Sequence, residues 1–304
     1  MATYLITQAT GQQSQWTIEH LLAAGAKVHA IVRNPSKIPD VLKRPGVTVF
    51  KGESVNFDDV FQAAQGCKAV FLVTHPISGM ETKQAQTIAD AAKKAGIKSV
   101  VASTTTCTGF KDLWDDSITK ECHLHDYYIS KTSVEDVVRG AGFEAWTILR
   151  PALIHYDYFL PGVRENFPQL ATHGELVHCL NDGTLMTHTD CSDIGKYAAA
   201  ALQDPAKFGG HEIELVNDSL TIEQIRDILV RVSGRDIGIR KFSSEDGEYV
   251  QGQAFQMWVN FKDLSRCVAA GREAQAKFGI PFTSLEEALQ RDKSRVLETV
   301  PVKA

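Results

Sequence analysis

The chain has 304 residues, 43% of them hydrophobic and 23% charged, a composition typical of a folded globular protein rather than a disordered one. Its net charge of −5 and its lack of a long Lys or Arg run argue against direct binding to nucleic acid, because phosphate neutralisation needs clustered basic residues. No apolar run approaches the roughly 20 residues that span a bilayer, so we expect no membrane segment.

The first half of the sequence alternates short apolar runs with helical patterns. The predicted strands cover residues 4–7, 27–33, 47–50, 68–73, 99–103 and 146–149. The predicted helices run from the turn after the first strand to about residue 25, and over about 56–65, 80–95 and 125–142. Repeated strand–helix–strand units imply right-handed crossovers and a parallel sheet with helices on both faces. The pattern predicts a doubly wound α/β domain of the Rossmann type over residues 1–150.

The pattern changes after Pro151. Residues 155–162 are aromatic and turn-rich, and residues 163–190 have only weak periodicity. Helices are then predicted at 194–202, 222–232, about 249–270 and 284–297, and short strands at 212–216 and 237–240. We interpret residues 151–304 as a smaller α+β substrate lobe, and we expect residues of about 190–203 to pack back on the first domain.

The turn after the first strand has the position of a dinucleotide site, in which a pyrophosphate binds at a helix N-terminus. The positions that carry glycine in such turns hold Gln8, Gly11 and Ser14, so one glycine of three remains. The prediction of a dinucleotide site therefore depends on the strand before the turn and the helix after it. The residues predicted to contact the pyrophosphate are Thr10, Gly11, Gln12 and Gln13.

Arg33 ends the second predicted strand, and Lys37 adds a second cation in residues 34–37, where the sequence predicts a helix start. NAD sites usually place a carboxylate there for the ribose 2′-hydroxyl, whereas an arginine accommodates the 2′-phosphate of NADP. The pair therefore favours NADP(H) as the cofactor. The alternative is a pair of solvated surface cations.

Several segments resemble the NmrA-like family, an atypical branch of the short-chain dehydrogenase/reductase superfamily. They are residues 8–11 (QATG), 32–37 (VRNPSK), 52–53 (GE), 89–96 (ADAAKKAG), 147–151 (TILRP) and 193–195 (DIG). The segments occur in the family's order over most of the chain. The family carries glycines where this chain has Gln8 and Ser14, and Asp where it has Glu53. Further predicted cofactor ligands, after the third and fourth strands, are Glu53, Thr74 and His75.

Reductases of this superfamily use a Tyr and a Lys four residues apart on one helix, with a Ser at the end of the preceding strand. Tyr127 and Lys131 have this spacing, which puts both side chains on one helical face, and Ser103 closes the strand before them. The resemblance implies that Tyr127 is a general acid or base, that Lys131 binds the nicotinamide ribose and that Ser103 orients the substrate. Thr104 and Thr105 follow Ser103, and the sequence leaves open which of the three faces the crevice. Alternatively, Tyr127 only packs at a helix start, because many family members lack this tyrosine and some are not enzymes.

The loop after Pro151 supplies the predicted substrate contacts, because small-molecule sites are largely apolar with a few polar groups. These residues are His155, Tyr156, Tyr158 and Phe159. Alternatively, they pack in a core between the lobes. The scattered Cys and His residues fit no standard zinc spacing, so we expect no metal. Six cysteines without a CxxC pair, and a first strand that begins directly after the initial residues, predict free thiols, no signal peptide and a cytoplasmic location.

The sequence therefore predicts an NADP(H)-dependent oxidoreductase that acts on a carbonyl, imine or conjugated double bond of a fairly large metabolite. The family resemblance suggests fungal-type secondary metabolism or detoxification. The predicted function includes a variant in which transient hydride transfer drives a redox-neutral isomerisation or cyclisation. The alternative is a non-catalytic NAD(P)-binding redox sensor that acts through a protein partner such as a transcription factor. The oligomeric state is left open.

Overall fold

The computed structural model describes residues 1–77 and 79–302. In chain order, the strands are β1 (Thr3–Ile6), β2 (Lys27–Val32), β3 (Val47–Lys51), β4 (Ala69–Val73), β5 (Ser99–Ser103), β6 (Ala145–Pro151), β7 (Leu153–Ile154), β8 (Glu175–His178), β9 (Met186–Thr189), β10 (His211–Leu215), β11 (Ser219–Leu220) and β12 (Gly238–Lys241).

The α-helices are α1 (Gln12–Ala23), α2 (Phe57–Ala64), α3 (Glu81–Lys94), α4 (Lys111–Trp114), α5 (Ser117–Glu121), α6 (His125–Gly140), α7 (Val163–Asn166), α8 (Pro168–His173), α9 (Cys191–Gln203), α10 (Pro205–Phe208), α11 (Ile222–Ser233), α12 (Gln251–Val259), α13 (Ser265–Phe278), α14 (Leu285–Arg291) and α15 (Lys293–Thr299). Short 3-10 helices cover Asp40–Lys43, His155–Tyr158 and Ser244–Asp246.

The described residues form two compact units that are discontinuous in sequence. The first comprises Met1–Gly109, Asp126–Arg150 and Cys191–Ile213. The second comprises Phe110–His125, Pro151–Asp190 and the chain from Glu214 onward. Helix α9, which lies within the residues expected to pack back on the first domain, packs on α1. The division differs from the predicted boundary at β10, which extends the first unit's sheet beside β6, and at Phe110–His125, which belong to the second unit.

Within the described residues, seven strands form the sheet of the first unit, in the order β10-β6-β5-β4-β1-β2-β3. Strands β1 to β6 pair in parallel. The strand order reverses between β1 and β4, the point at which open α/β sheets bind ligands beyond their carboxyl ends. The predicted doubly wound parallel sheet is confirmed.

The centre of this sheet is buried on both faces. Every residue of β5 is buried, and β4 is buried over Ala69–Leu72, as expected of parallel strands covered by helices on both sides. The core on one face packs β4 and β5 against α2, α3 and α6 through small and branched apolar side chains, including Val60, Ile88 and Val134. Such packing holds the carboxyl ends of the central strands in fixed positions.

The second unit contains smaller sheets within its described part. Strands β11, β9 and β7 form one of them, and β12 pairs in parallel with β8. Its core contains Tyr158, Phe159 and Leu229, which are almost completely buried. The Trp258 indole donates to the Thr119 hydroxyl at 2.8 Å and so joins α12 to the segment at 110–125. No helix among the described residues is long and apolar enough to cross a membrane.

Two of the predicted helices are each divided in two, and polar side chains explain the first break. The helix predicted at 249–270 is α12 and α13: the Asn260 side chain bonds the backbone at 179 and 181, and the Asp263 carboxylate accepts from the Ser265 amide. Asn and Asp side chains compete in this way with helical hydrogen bonds. The helix predicted at 284–297 is α14 and α15, which meet at Asp292.

Candidate active site at the carboxyl edge of the first unit's sheet

The turn between β1 and α1 adopts its tight path with few glycines. Gln8 has φ 46°, in the left-handed region where glycine is favoured, so the first glycine position keeps the conformation that glycine would supply. The Gly11 amide donates to the Gln8 carbonyl at 2.8 Å. Ser14 is buried and donates to the Thr7 carbonyl at 2.9 Å, so the third position still allows α1 to pack on β1.

The amino end of α1 is suited to an anion. No side chain caps it, and its first turn carries no acidic residue, so the first N–H groups keep their partial positive charge. The Thr10 carbonyl accepts a hydrogen bond from the side-chain nitrogen of Gln15, Nε2, at 2.7 Å. The buried side-chain oxygen of Gln13 has no hydrogen-bond partner among the described residues. The uncapped amino end of α1, with its N–H donors, fits the pyrophosphate of a dinucleotide, whereas the Gln13 oxygen can only accept a hydrogen bond.

Two cations follow β2 at the same edge of the sheet. Arg33 and Lys37 are exposed, and neither forms an ion pair with any residue that the structure describes. The Asn34 side chain accepts from the Ser36 amide at 3.0 Å, and the Lys37 amide donates to the Asn34 carbonyl at 3.2 Å. This turn folds the segment back, so both cations lie beyond the end of β2.

The predicted ligand Glu53 lies beyond β3. Its side chain is exposed, and its amide donates to the Asp59 carboxylate at 3.0 Å. The turn after β3 is therefore fixed through its backbone, and the Glu53 carboxylate faces solvent. Its contact with a cofactor stays a prediction.

A buried cluster of polar side chains lies beyond β4. Thr74 Oγ1 donates to Glu81 Oε1 at 2.7 Å, and Lys131 Nζ donates to the same oxygen at 2.6 Å. Ser130 Oγ donates to Glu81 Oε2 at 2.8 Å. We name Thr74, Glu81, Ser130 and Lys131 the Glu81 cluster. It joins the end of β4 to the start of α3 and the middle of α6.

Sequence reasoning found Thr74 and Lys131 and missed Glu81. Glu81 is separated by 50 residues from Lys131, and no spacing motif connects them. Only its place at the start of a helix directly after a central strand signals a role. His75, also predicted, has its amide bonded to the Gln84 side chain at 2.8 Å, so Gln84 fixes the backbone of this loop.

Tyr127 and Lys131 lie on one face of α6. The Lys131 ammonium is 5.4 Å from the centroid of the Tyr127 ring, and the Tyr127 side chain is partly exposed. The neighbouring Tyr128 is buried and meets the Tyr127 ring edge-on at 5.5 Å between centroids. The structure therefore brings together the two residues that the spacing paired.

Ser103 ends β5 in register with Val73 of β4, directly before Thr74. Its hydroxyl is buried and has no hydrogen-bond partner within residues 1–77 and 79–302. The Thr104 hydroxyl instead donates to Glu135 at 2.8 Å. A buried hydroxyl without a partner is costly, so Ser103 is suited to bind a ligand atom at this edge of the sheet.

Comparison with known proteins places this fold and site in a family. Residues 2–251 match the NmrA-like family. The chain belongs to the NmrA-like family. Quinone oxidoreductase 2 of Escherichia coli (strain K12) is 28% identical over 246 residues, which cover 79% of this chain and 78% of that protein. The resemblance inferred from the motifs is confirmed.

Solved structures agree with this NmrA-like assignment at the level of the fold. NADPH-dependent quinone oxidoreductase QOR2 of Escherichia coli, complexed with NADPH, has a TM-score of 0.69 at 22% identity, covering 96% of this chain and 98% of that one. NmrA, a negative transcriptional regulator in complex with NAD, has a TM-score of 0.73 at 20% identity, covering 95% and 94%. An oxidoreductase and a regulator therefore share this NmrA-like architecture.

The predicted substrate residues of the NmrA-like chain lie in the second unit. Tyr158 and Phe159 are in its apolar core, and Tyr158 bonds His188 Nε2 at 2.9 Å. The Arg295 guanidinium lies 4.2 Å from the centroid of the partly exposed Tyr156 ring. His155 is buried, and neither of its ring nitrogens has a hydrogen-bond partner among the described residues, although Nδ1 lies 3.9 Å from Asp190 Oδ1. Their role in substrate binding stays a prediction.

Burial lowers the pKa values of two histidines, His155 and His188. It lowers the pKa of His155 to about 3, with a further contribution from the Arg291 guanidinium. The pKa of His188 is also lowered to about 3, first by burial and then by His155. In the described part of the chain, no three His, Cys, Asp or Glu side chains are arranged to hold a metal ion.

Proposed function

We propose that this protein is an NADP(H)-dependent oxidoreductase that reduces a small-molecule substrate at the carboxyl edge of the first unit's sheet. The observation that carries the proposal is the buried Ser103 hydroxyl, which lacks a partner within the described residues. It ends β5 beside the strand that leads to the Glu81 cluster, which contains Lys131. A site with an unsatisfied donor, an ammonium and a nearby phenol suits proton transfer to a substrate oxygen.

The cofactor is proposed to bind across the switch point of the sheet. The uncapped amino end of α1 would hold the pyrophosphate, and Arg33 with Lys37 would hold the 2′-phosphate. Lys131 would bind the nicotinamide ribose, beside the loop that begins with Thr74 and His75. The Escherichia coli relative, solved with NADPH, supports this choice of cofactor.

The chemistry divides between the cofactor and the protein. Bound NADPH would supply a hydride. Ser103 would donate a hydrogen bond to the substrate oxygen and so orient it. Tyr127 would deliver a proton to that oxygen as negative charge develops on it, and the Lys131 ammonium near the ring would favour the anionic phenolate that remains. A carbonyl, an imine or a conjugated double bond fits these roles.

The test measures NADPH oxidation with a panel of quinones and aromatic carbonyl compounds. The readout is the decrease in nicotinamide absorbance. We expect turnover by the wild type with at least one class, and a loss of about 10²-fold or more in Ser103→Ala with NADPH still bound. Product measured against NADPH consumed distinguishes net reduction from a redox-neutral isomerisation or cyclisation. A panel that gives neither NADPH consumption nor product would contradict the enzyme proposal.

A second candidate function is a NAD(P)-binding regulator that acts through a protein partner. The likeness of the fold to NmrA, with a TM-score of 0.73, favours it. Nucleotide binding without turnover, together with a partner retained only when nucleotide is present, would support this candidate. A cytoplasmic location and a setting in fungal secondary metabolism stay predictions.

A further inference from the structure

The Glu81 carboxylate, which the proposed chemistry does not use, is the centre of the buried Glu81 cluster. Its side chain is 2% exposed and that of Lys131 is 8% exposed. Its two oxygens accept from three side chains, which come from the end of β4 and from adjacent positions of α6. The carboxylate therefore has one defined location, fixed by elements on both sides of it.

A buried ammonium needs such a partner. Removing one member of a buried ion pair leaves an uncompensated charge, which is strongly destabilising. The Lys131 ammonium has three N–H donors, and Glu81 engages one of them. The other two donors remain for hydroxyl groups of a ligand at the edge of the sheet. The direction in which they point is set by where Glu81 holds the nitrogen.

We propose that Glu81 is a positioning residue for the cofactor, which fixes the Lys131 ammonium where it binds the hydroxyls of the nicotinamide ribose. Thr74 and Ser130 hold the carboxylate in place, and the carboxylate holds the ammonium. This inference rests on the proposed NADP(H) binding. It adds that the affinity contributed by Lys131 depends on a residue of the loop after β4.

The test is a double-mutant cycle on the full chain, with NADPH affinity measured by fluorescence titration and the midpoint of thermal unfolding measured in parallel. The variants are Glu81→Gln, Lys131→Met and the double variant. Because a charge-assisted contact is misplaced, we expect Glu81→Gln to weaken NADPH binding about tenfold. We expect it to cause no further loss when Lys131 is already Met, because Glu81 acts through that side chain.

Glu135→Gln is the matched control. Glu135 lies one turn after Lys131 on α6, is as buried as Glu81 and is paired with Arg150. Its loss should therefore lower thermal stability and leave NADPH affinity unchanged. Glu81→Asp is the second variant: it keeps the charge but is one methylene shorter, so the fold should survive while NADPH affinity falls.

Several outcomes would overturn the inference. One is a Glu81→Gln variant that loses stability like the control and binds NADPH like the wild type. Another is an equal loss of affinity with and without Lys131, and a third is a Glu81→Asp variant with wild-type affinity. If the wild type bound no NADPH at all, the proposed function would fail and this inference with it. If Lys131→Met weakened NADPH binding and Glu81→Gln did not, the proposed cofactor site would stand and Glu81 would have no part in it.

Discussion

The Arg150 guanidinium makes two hydrogen bonds to the Glu135 carboxylate inside the first unit, from Nε to Oε1 at 3.0 Å and from Nη2 to Oε2 at 2.7 Å. Thr104 and Thr108 also donate to Oε1, at 2.8 and 2.6 Å. Burial acts to raise the pKa of Glu135, and the bonds from Arg150 outweigh it, so the pKa lies below its ordinary value. The TILRP motif, which ends β6, thus contributes an arginine to the interior of the fold.

Arg150→Met is expected to destabilise the protein, by less than the about 3–5 kcal/mol of a fully unpaired buried charge, because the Glu135 carboxylate would lose two hydrogen bonds and keep the partly exposed Arg139 as its counter-charge. Urea unfolding would measure the free energy of unfolding. The folded-state pKa of Glu135 lies below the unfolded one, so its contribution is present above the unfolded pKa and is lost as pH falls through the folded pKa. The double variant with Glu135→Gln should recover part of the loss; a single variant as stable as the wild type would refute this account.

The buried histidines predict a separate pH dependence. His155 and His188 titrate near pH 6.5 when unfolded, and their pKa values in the fold are about 3. Between these values the unfolded state binds more protons, so stability should fall as pH falls below about 6.5, by up to about 1.4 kcal/mol per pH unit for each histidine. His155→Phe should flatten the profile between about pH 6.5 and about pH 5, as measured by urea unfolding. An unchanged slope would show that His155 is protonated in the fold.

Arg33→Ala should abolish the preference for phosphorylated nucleotides. We expect NADPH binding to weaken about tenfold or more and NADH binding to stay nearly unchanged, because only NADPH carries the 2′-phosphate that the guanidinium would pair with. Titrations of both nucleotides would measure the ratio. Arg44→Ala is the control, since this exposed arginine of the same unit pairs with Glu19. Equal effects of the two variants would point to overall charge rather than to a 2′-phosphate site.

Tyr127→Phe should lower kcat by about 10²- to 10⁴-fold while leaving the NADPH dissociation constant unchanged, because only the proton donor is removed. Tyr128→Phe is the matched control on the next position of α6, where the side chain is buried. Single-turnover kinetics with the best substrate of the panel would separate chemistry from binding. Full activity in the Tyr127 variant would remove this residue from the mechanism.

Much of the first unit could be predicted because its physical signal is local. Strand β5 is fully buried and appears in the sequence as the run 99–103, with the bounds that the structure has. The pairing of Tyr127 with Lys131 likewise follows from the helical period. The break at Asn260 depends on a side chain that bonds the backbone at 179 and 181, far away in sequence, and a hydrophobic period contains no sign of such a bond.

The candidate site shows the same division. Thr74 directly follows β4 and Ser103 ends β5. Because ligands bind at the carboxyl ends of parallel strands, the sequence predicts both as site residues. Glu81 was missed because its partners are set by how α3 and α6 pack on the sheet. The sequence leaves open which of Ser103, Thr104 and Thr105 faces a ligand; the structure shows that the Thr104 hydroxyl donates to Glu135.

The outer strand β10 has a consequence for synthesis of the chain. It pairs with β6, yet residues 152–210 separate the two in sequence. During translation, the edge of β6 therefore stays without its neighbour until the later strand has left the ribosome, and a bare strand edge is a template for aggregation. We therefore expect the nascent chain to be most prone to aggregation while residues 152–210 are being synthesised.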